Sequence, residues 1–387
     1  MSGMGYIQAI KFFAGKSLDL AHFGRLLYWY KASIKQYTKT VYEKNSQSFK
    51  SFDDIDCSGR HFMVTGATSD IGQTICEYIV KKEGTTLHAV CHEKISSEAL
   101  SQKLKPITCS KSNLIFHVVD LSEPLQVQKF INDFIRGKKP LNVFIHCASI
   151  LNKCEMMNSN NLETGFALNV IGTYLFLTHF PGYMTMNTES KIKNRFISCA
   201  CGDVFTVNIH AKNPELKNYP FKPLLHFSHQ KKQSAFQTQY FSNKYPAVQF
   251  SIACPGWVDT VGWKNKYSNF IWLNKTELRT PAQGADTLLW LAISDEAILF
   301  KSGEFFLDRK IINLSYFHIP NTIKELIAPM YFTEMDNIVD KCLSSSGKAE
   351  NLPILQKNHE ESQTKESEKK TQEPEQERES KQITKST

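Results

Sequence analysis

The chain lacks several features that would assign it to particular classes of protein. Its 387 residues contain no uncharged apolar run of ~18 or more, the length that a membrane-spanning helix requires. Lys11, Lys16 and Asp19 interrupt the apolar positions near the N-terminus, so no signal peptide is predicted. With hydrophobic residues at 41%, these absences indicate a globular protein with a sizeable core, which we expect to be intracellular and cytoplasmic.

The ten cysteines lack the spacings of metal sites and of disulfide frameworks. No two have a CxxC spacing and no Cys/His cluster has the spacing of zinc ligands, so no metal site is predicted. Cys199 and Cys201 lie two residues apart on a predicted strand, where parallel side chains give poor geometry for a bridge. We therefore interpret the cysteines as free thiols of a reducing compartment.

The charge is uneven along the chain, with a formal net value of +8. Lysines interleave with aromatic and aliphatic residues over residues 1–50, which predicts amphipathic N-terminal helices that either lie on a membrane surface or pack on the protein's own domain. We expect the basic side chains to form a solvated face and predict no nucleic-acid partner. Residues 344–387 are mostly Glu, Lys, Gln and Ser, which predicts a disordered charged tail, with a lone charged helix as the alternative.

The middle of the chain, residues 55–340, alternates apolar runs with amphipathic segments. Predicted strands lie at 60–65, 86–91, 113–119, 141–147, 195–201, 247–253 and 304–307, and predicted helices at 71–82, 125–136, 162–178 and 282–293. This alternation is typical of a parallel sheet with helices on both faces. We therefore predict a Rossmann-type α/β domain, a doubly wound parallel sheet of about seven strands.

The end of the first predicted strand has the pattern of a phosphate-binding turn. Residues 64–72 read Val-Thr-Gly-Ala-Thr-Ser-Asp-Ile-Gly and lead directly into a helix. Free backbone N–H groups and the positive end of the helix dipole meet there, which favours a diphosphate. The residues predicted to contact it are Gly66, Ser69, Asp70, Ile71 and Gly72.

This turn resembles the cofactor loop of the short-chain dehydrogenase/reductase family, Thr-Gly-x-x-x-Gly-Ile-Gly, with Asp70 in the place of the middle glycine. A carboxylate ~5 Å from the phosphates repels them by on the order of 1–3 kcal/mol. Asp is also a favourable residue at the start of a helix. The resemblance implies NAD or NADP as cofactor, and the substitution leaves two alternatives: the loop binds it, or binds it weakly or not at all.

The resemblance implies further cofactor contacts. His92 follows strand two, where the family selects between NAD and NADP, and it favours neither. Asp120 resembles the family's adenine-contacting Asp, and a helix cap is an equal interpretation. Only Ala148 of the family's Asn-Asn-Ala-Gly motif is kept in residues 146–149. Residues 255–260 resemble the segment that contacts the nicotinamide end, which assigns to the cofactor site Pro255, Gly256, Val258 and Thr260.

The family's chemistry uses a Tyr as proton donor, a Lys four residues later, a Ser that polarises the substrate oxygen and an Asn that supports a proton relay. Counting back from residues 255–260 aligns Lys231 with the Lys and Phe227 with the Tyr. Cys201 aligns with the Ser, although a two-residue slip would bring Cys199 there, and Asn169 keeps its place. Only Asn169 and Lys231 of these four catalytic positions are kept, because phenylalanine has no proton to donate and a thiol is a weak donor.

Three functional hypotheses follow. The chain is a catalytically degenerate family member that acts as a scaffold or nucleotide sensor, with a protein partner or as a homodimer. Alternatively, it is an active NAD(P)-dependent oxidoreductase in which His226 or His229 replaces the tyrosine or, less simply, Cys201 acts as a nucleophile. The third alternative is a peripheral membrane protein attached through residues 1–45. We favour the first hypothesis, because Phe227 and Cys201 are losses of chemistry and not changes of specificity.

Overall fold

Apolar runs form a single sheet in the part of the chain that the structure describes. This computed structural model describes residues 20–186, 193–266, 275–312 and 321–344. The strands are β1 (His61–Thr65), β2 (Thr86–Cys91), β3 (Asn113–Val118), β4 (Val143–His146), β5 (Asn194–Cys199), β6 (Val248–Ala253), β7 (Glu304–Leu307) and β8 (Lys310–Ile311). Their order across the sheet is β3-β2-β1-β4-β5-β6-β7-β8, and every neighbouring pair is parallel except β7 with β8.

Amphipathic segments between the strands form the covering helices. They are α1 (Leu20–Ile34), α2 (Lys39–Ser46), α3 (Asp70–Lys81), α4 (Lys94–Leu104), α5 (Pro124–Arg136), α6 (the consecutive segments Thr164–Phe166, Ala167–Gly172 and Thr173–Met186), α7 (Pro223–Lys244), α8 (Val261–Lys266), α9 (Pro281–Ile293) and α10 (Asn321–Ser344). Local sequence explains several starts: Ser69 caps α3, and Thr280 forms a capping box with Gln283 at α9.

Helices cover both faces of the sheet. Helices α5, α6, α7 and α10 bury an aromatic-rich core on one face, around Phe144, Phe176 and Phe196. Helices α3, α4 and α9 bury an aliphatic core on the other face, around Val64, Ile145 and Ile197. Because successive side chains of a strand point to opposite faces, each central strand supplies both cores. The arrangement confirms the predicted doubly wound, Rossmann-type sheet.

The predicted strands agree with the structure to within two residues at each end, and the sheet has one strand more than the seven predicted. The additional strand, β8, has two residues and pairs in antiparallel fashion with β7. The turn between them places Asp308 and Arg309 at φ values of 51° and 57°. Gly or Asn is the usual signal for such a turn, so an Asp-Arg pair gives no sequence indication of a hairpin.

The N-terminal segment packs on the domain wherever the structure describes it. Leu26, Tyr30 and Tyr37 are buried, and the Tyr30 ring stacks on Trp257 with 5.6 Å between ring centroids. We call the described residues 20–50 the arm. The arm packs on the protein's own domain, which is the second of the two interpretations of residues 1–50. No helix in the described ranges has the length and apolar character needed to cross a membrane. Residues 1–19 of the predicted N-terminal helices, and the predicted tail beyond Ser344, lie outside the described residues.

A pair of histidines lies between β2, β3 and α5. His88 Nδ1 is 3.0 Å from His117 Nε2, and both rings pack edge-on against Phe134. Burial, followed by the charge of the other histidine, lowers the pKa of His88 to about 3. Burial and the Lys139 ammonium lower the pKa of His117 to about 4. Both rings are therefore neutral in the folded protein at pH 5.

This pair predicts loss of stability in mild acid. Below pH ~6.5 the unfolded chain takes up protons on both histidines and the folded chain does not. The free energy of unfolding should therefore fall by about 1.4 kcal/mol per pH unit for each histidine as the pH drops from ~6 towards 4. Urea unfolding from pH 7 to pH 4 measures this slope. His88→Gln should reduce it, whereas Phe130→Leu, which removes a neighbouring ring without a titrating group, should keep it. An unchanged slope in His88→Gln would contradict the assignment.

Candidate cofactor and active site

A cavity of about 560 Å³ opens at the carboxyl ends of β1, β4, β5 and β6. Open α/β sheets bind ligands at this edge, and the volume is typical of small-molecule sites. The predicted site residues that line it are Ser69, Asp70, Ile71, Cys201, Phe227, Lys231, Pro255, Gly256, Val258 and Thr260. The predicted site residues outside its lining are Gly66, Gly72, His92, Asp120, Ala148 and Asn169.

The two remaining glycines of the turn are required by close packing. Gly66 has a φ of +67°, and a Cβ there would lie 2.7 Å from Ala148 Cα. A Cβ at Gly72 would lie 2.1 Å from the Gly66 carbonyl oxygen. Ser69 Oγ accepts a hydrogen bond from Gly72 N at 3.1 Å and donates one to Gly66 O at 2.8 Å. The tight turn of a phosphate-binding loop is therefore kept, with Ala148 as its packing surface.

Asp70 makes a contact that a glycine could not make. Its Oδ2 accepts a hydrogen bond from the backbone N–H of Val261 at 2.9 Å, which joins the turn to the segment after β6. The carboxylate lies at the N-terminus of α3, where the helix dipole favours negative charge. The first N–H groups of α3 have no acceptor within the helix, so the turn still offers donors to a diphosphate. It offers them beside a fixed carboxylate.

The predicted adenine end has two half-exposed groups in contact. His92 Nε2 lies 3.3 Å from Asp120 Oδ2, while Asp120 Oδ1 accepts hydrogen bonds from Ser122 N and Oγ at 2.9 and 2.7 Å. Burial raises the pKa of the Asp120 carboxyl, but the Ser122 hydrogen bonds and His92 outweigh it, and the pKa is lowered. Asp120 thus stabilises its own turn, as the helix-cap interpretation expects, and also faces His92.

Helix α7 presents the two residues aligned with the family's Tyr and Lys. Phe227 and Lys231 both line the cavity, and the four-residue spacing places them on one face of the helix. Lys231 is 2% exposed, and no hydrogen bond or ion pair joins its ammonium to another of the residues that the structure describes. The cavity therefore has a buried cation beside a ring that carries no hydroxyl.

The histidines considered as replacement proton donors lie outside the cavity lining. His226 Nδ1 is 3.0 Å from the Lys222 carbonyl oxygen, and the His229 ring packs against His210 at 5.1 Å. Another histidine, His146, takes the first Asn position of the strand-four motif and is buried, with Nδ1 2.8 Å from Thr65 Oγ1. Burial and the Lys231 charge lower the pKa of His146 to about 3, so it is neutral.

Cys199 and Cys201 both border the cavity, so either can face a ligand there. Burial, followed by the Asp203 carboxylate, raises the pKa of Cys201 well above its usual value. Cys201 is therefore a neutral thiol and a weak donor. In the described part of the chain no group of three or more His, Cys, Asp or Glu side chains is placed to hold a metal ion.

Asn169 lies in the π-helical part of α6 and is bonded on every side. Its Oδ1 accepts from Ser149 Oγ and Ile150 N, each at 3.1 Å. Its Nδ2 donates to Ile150 O and to Gln230 Oε1, each at 2.8 Å. Gln230 in turn donates to Glu163 Oε2 at 2.8 Å. The amide thus fixes the backbone after β4 to the helix of Lys231, and its side chain keeps no free hydrogen-bonding group for a relay.

The structure also brings in residues that the sequence did not indicate. Asp203 is buried in the cavity wall, where its Oδ2 accepts from Ser228 Oγ at 2.8 Å and its carboxylate neighbours the Cys201 thiol. Burial raises the pKa of its carboxyl. Tyr37 and Trp29 of the arm close the far end of the cavity, where Trp29 Nε1 donates to Gly202 O at 2.7 Å. Position near a strand end was a usable signal for Asp203, and none existed for the arm residues.

Comparison with known proteins agrees with this geometry. A family model described as short chain dehydrogenase matches residues 60–201. Similarity to single proteins extends much further, to about three quarters of the chain, and the chain belongs to the short-chain dehydrogenase/reductase family. Dehydrogenase/reductase SDR family member 12 of Homo sapiens is 31% identical over 297 residues, which cover 76% of this chain and 90% of that protein. The Bos taurus protein of the same name is 32% identical and covers 73% and 87%.

Solved structures show the same fold at low identity. An uncharacterized protein from Mycobacterium Paratuberculosis superposes with a TM-score of 0.56 at 15% identity, over 74% of this chain and 96% of that one. A 3-oxoacyl (acyl-carrier-protein) reductase from Agrobacterium tumefaciens C58, solved with NADP bound, gives a TM-score of 0.52 at 19% identity, over 67% and 96%. These solved structures confirm the predicted fold.

Proposed function

We propose that the chain binds NAD or NADP weakly in this cavity and has lost the ordinary turnover of its family, so that it acts as a nucleotide-responsive scaffold. The observation that carries the proposal is the pairing of Phe227 with Lys231. The two residues face one cavity, where the ammonium is buried with no hydrogen-bond partner among the described residues and Phe227 takes the place of the family's phenol. The phenol of Tyr37 also lines this cavity, near Cys201 and Cys254. The ammonium favours a polar ligand, and the loss of the phenol on α7 removes the family's proton donor.

The residues present fit the cofactor with one exception. The start of α3 and Ser69 would hold the diphosphate, Lys231 the ribose next to nicotinamide, and Pro255 with Gly256 the nicotinamide end. The exception is Asp70, whose carboxylate would lie beside the phosphates and weaken binding. A neighbour of the same fold with NADP bound supports the choice of cofactor class. When bound, the cofactor would supply a hydride.

Three side chains explain why turnover is expected to be absent. Phe227 has no proton that it can donate, and loss of the proton donor lowers the rate by about 10²–10⁴-fold. The Asn169 side chain is fully bonded within the protein. Cys201 is a poor donor to a substrate oxygen. Loss of one acid slows an enzyme, whereas loss of the acid, the relay and the oxyanion donor together removes most of its proton chemistry.

Asp203 supports a second candidate function, an active oxidoreductase with a carboxylic acid in place of the phenol. Its carboxyl group borders the cavity, and burial moves the pKa of that carboxyl upward, the direction that a proton donor requires. Ser228 Oγ donates to Oδ2, which would fix the orientation of the acid.

Calorimetry with NAD⁺, NADH, NADP⁺ and NADPH, together with turnover assays on aldehydes, ketones and alcohols, separates these functions. We expect weak binding of at least one form and no turnover. Lys231→Met should weaken binding by about 10–100-fold, because a charged hydrogen-bond donor is lost. Lys244→Met, on the same helix outside the cavity, should not change it. Saturable hydride transfer at ordinary enzyme rates would overturn the proposal, and its loss in Asp203→Asn would then favour the second candidate.

A further inference from the structure

Two cysteines on neighbouring strands lie side by side at the floor of the cavity. His146 of β4 and Ser198 of β5 are direct partners in the parallel ladder, so the next residues, Cys147 and Cys199, are also opposite each other. Neighbouring strands lie ~4.8 Å apart, which falls within the Cα separation of disulfides. Both side chains line the cavity and belong to the same buried cluster, so the two thiols lie close to each other.

The environment makes the two thiols unequal. The hydrogen bond from Cys147 lowers the pKa of Cys199, the Lys231 ammonium lowers it further, and burial opposes both. The same hydrogen bond, together with burial, raises the pKa of Cys147. Both side chains border the cavity and are therefore reachable by a small solute. A thiol whose pKa is lowered beside a cation, with a second thiol next to it, is the arrangement of a reactive cysteine and its resolving partner.

We propose that Cys147 and Cys199 are a redox-active dithiol that a peroxide converts to a disulfide at the base of the cavity. The Cys199 thiolate attacks one peroxide oxygen, the O–O bond breaks and a sulfenic acid forms, while the departing hydroxide takes up the proton that the Cys199 thiol released and becomes water. The Cys147 sulfur then attacks the Cys199 sulfur, the S–O bond breaks, and the Cys147 proton leaves with the hydroxyl as water. The two thiols together lose two electrons, and one hydrogen peroxide is reduced to two waters.

This site does not depend on hydride transfer or on cofactor binding. It uses Lys231 only as a nearby positive charge, so it stands if the proposed function fails. The other thiols of the cavity provide contrast. Cys201 and Cys254 have pKa values raised by burial, which disfavours the thiolate that attacks peroxide. Cys154 is exposed and gives a reference for simple accessibility.

The test is mass spectrometry of the full chain after brief exposure to hydrogen peroxide and alkylation of the remaining thiols. In wild type we expect a loss of two hydrogens, reversed by dithiothreitol, and a cross-linked peptide that joins Cys147 to Cys199. Cys199→Ser should lose this product. Cys147→Ser should instead accumulate a sulfenic acid on Cys199, which dimedone traps. Cys254→Ser, the matched control, should behave as wild type.

A second reagent tests the same pair without oxidation. Phenylarsine oxide binds two thiols at once, so we expect one equivalent on wild type and on Cys254→Ser, and loss of it in either Cys147→Ser or Cys199→Ser. The proposal is overturned if both cysteines are alkylated after peroxide treatment while Cys154 is oxidised. It is also overturned if the cross-link joins Cys199 to a residue other than Cys147.

Discussion

Replacing Phe227 by tyrosine in an Asp70→Gly background is expected to raise the rate of NAD(P)-dependent carbonyl reduction by about 10²–10⁴-fold over the wild type. The four-residue spacing on α7 places the new phenol on the same face as the Lys231 ammonium. That charge favours the phenolate and lowers the pKa of the phenol towards the range in which it can exchange protons. The glycine removes the carboxylate beside the diphosphate, so that the cofactor occupies the cavity.

Two single variants separate chemistry from binding in this experiment. Asp70→Gly should tighten cofactor binding without creating turnover, because it adds no proton donor. Phe227→Tyr alone should create the phenol without improving binding. Phe221→Tyr adds a hydroxyl outside the cavity lining and serves as the matched control. The rate gained should stay below that of an intact site, because the thiols of Cys199 and Cys201 are weak donors to a substrate oxygen.

The measurement combines cofactor absorbance with titration of the new phenol. Absorbance of NAD(P)H follows turnover over a panel of aldehydes and ketones. Ultraviolet titration gives the pKa of the new tyrosine in the absence of any substrate, and we expect it below ~10, the ordinary value. A double variant that binds the cofactor tightly, has a depressed phenol pKa and still turns over no faster than Asp70→Gly would show that more than the acid is missing.

The sheet could be predicted because its strands are buried on both faces and read as continuous apolar runs. The turn at Gly66 and Gly72 could also be predicted from sequence. Its close packing admits only glycine at these two positions, so the glycine pattern marks the turn. The two-residue strand β8 was not predicted, because its turn uses Asp308 and Arg309 without a glycine. Elements that depend on nearby residues, such as an apolar strand or a glycine turn, can therefore be predicted from the local sequence.

The walls of the cavity were harder to predict, because they come from distant parts of the chain. Trp29 contacts Gly202 across 173 residues of sequence, and no periodicity of the arm indicates that partner. The sequence predicted a helix at Asn169, and the structure has one there. The sequence could not show that Gln230 and the backbone of Ile150 use all of the amide's hydrogen-bonding capacity. A motif shows which functional group a side chain carries. Whether that group is free to form a hydrogen bond with a ligand depends on its neighbours in the folded protein.

Contacts between distant parts of the chain also make Arg279 important for stability, and replacing it should lower the free energy of unfolding strongly. This side chain is 1% exposed and forms a two-pronged ion pair with Asp308, at 2.6 and 3.2 Å. It also donates to the carbonyl oxygens of Tyr37 at 2.9 Å and Gln36 at 3.0 Å. One guanidinium therefore ties the arm to the turn between β7 and β8.

Arg279→Met is expected to lower the free energy of unfolding by about 3–5 kcal/mol, because it leaves the Asp308 carboxylate buried with Asn45 as its remaining side-chain donor. Urea unfolding measures the loss. The double variant Arg279→Met with Asp308→Asn should be less destabilised than Arg279→Met alone, since it removes the unpaired charge and asparagine tolerates the positive φ of this position. Lys129→Met, which breaks an exposed ion pair with Asp133, should cost about 0–1 kcal/mol. If the double variant instead lost the sum of both single effects, the carbonyl contacts to the arm, and not the buried charge, would carry the stabilisation.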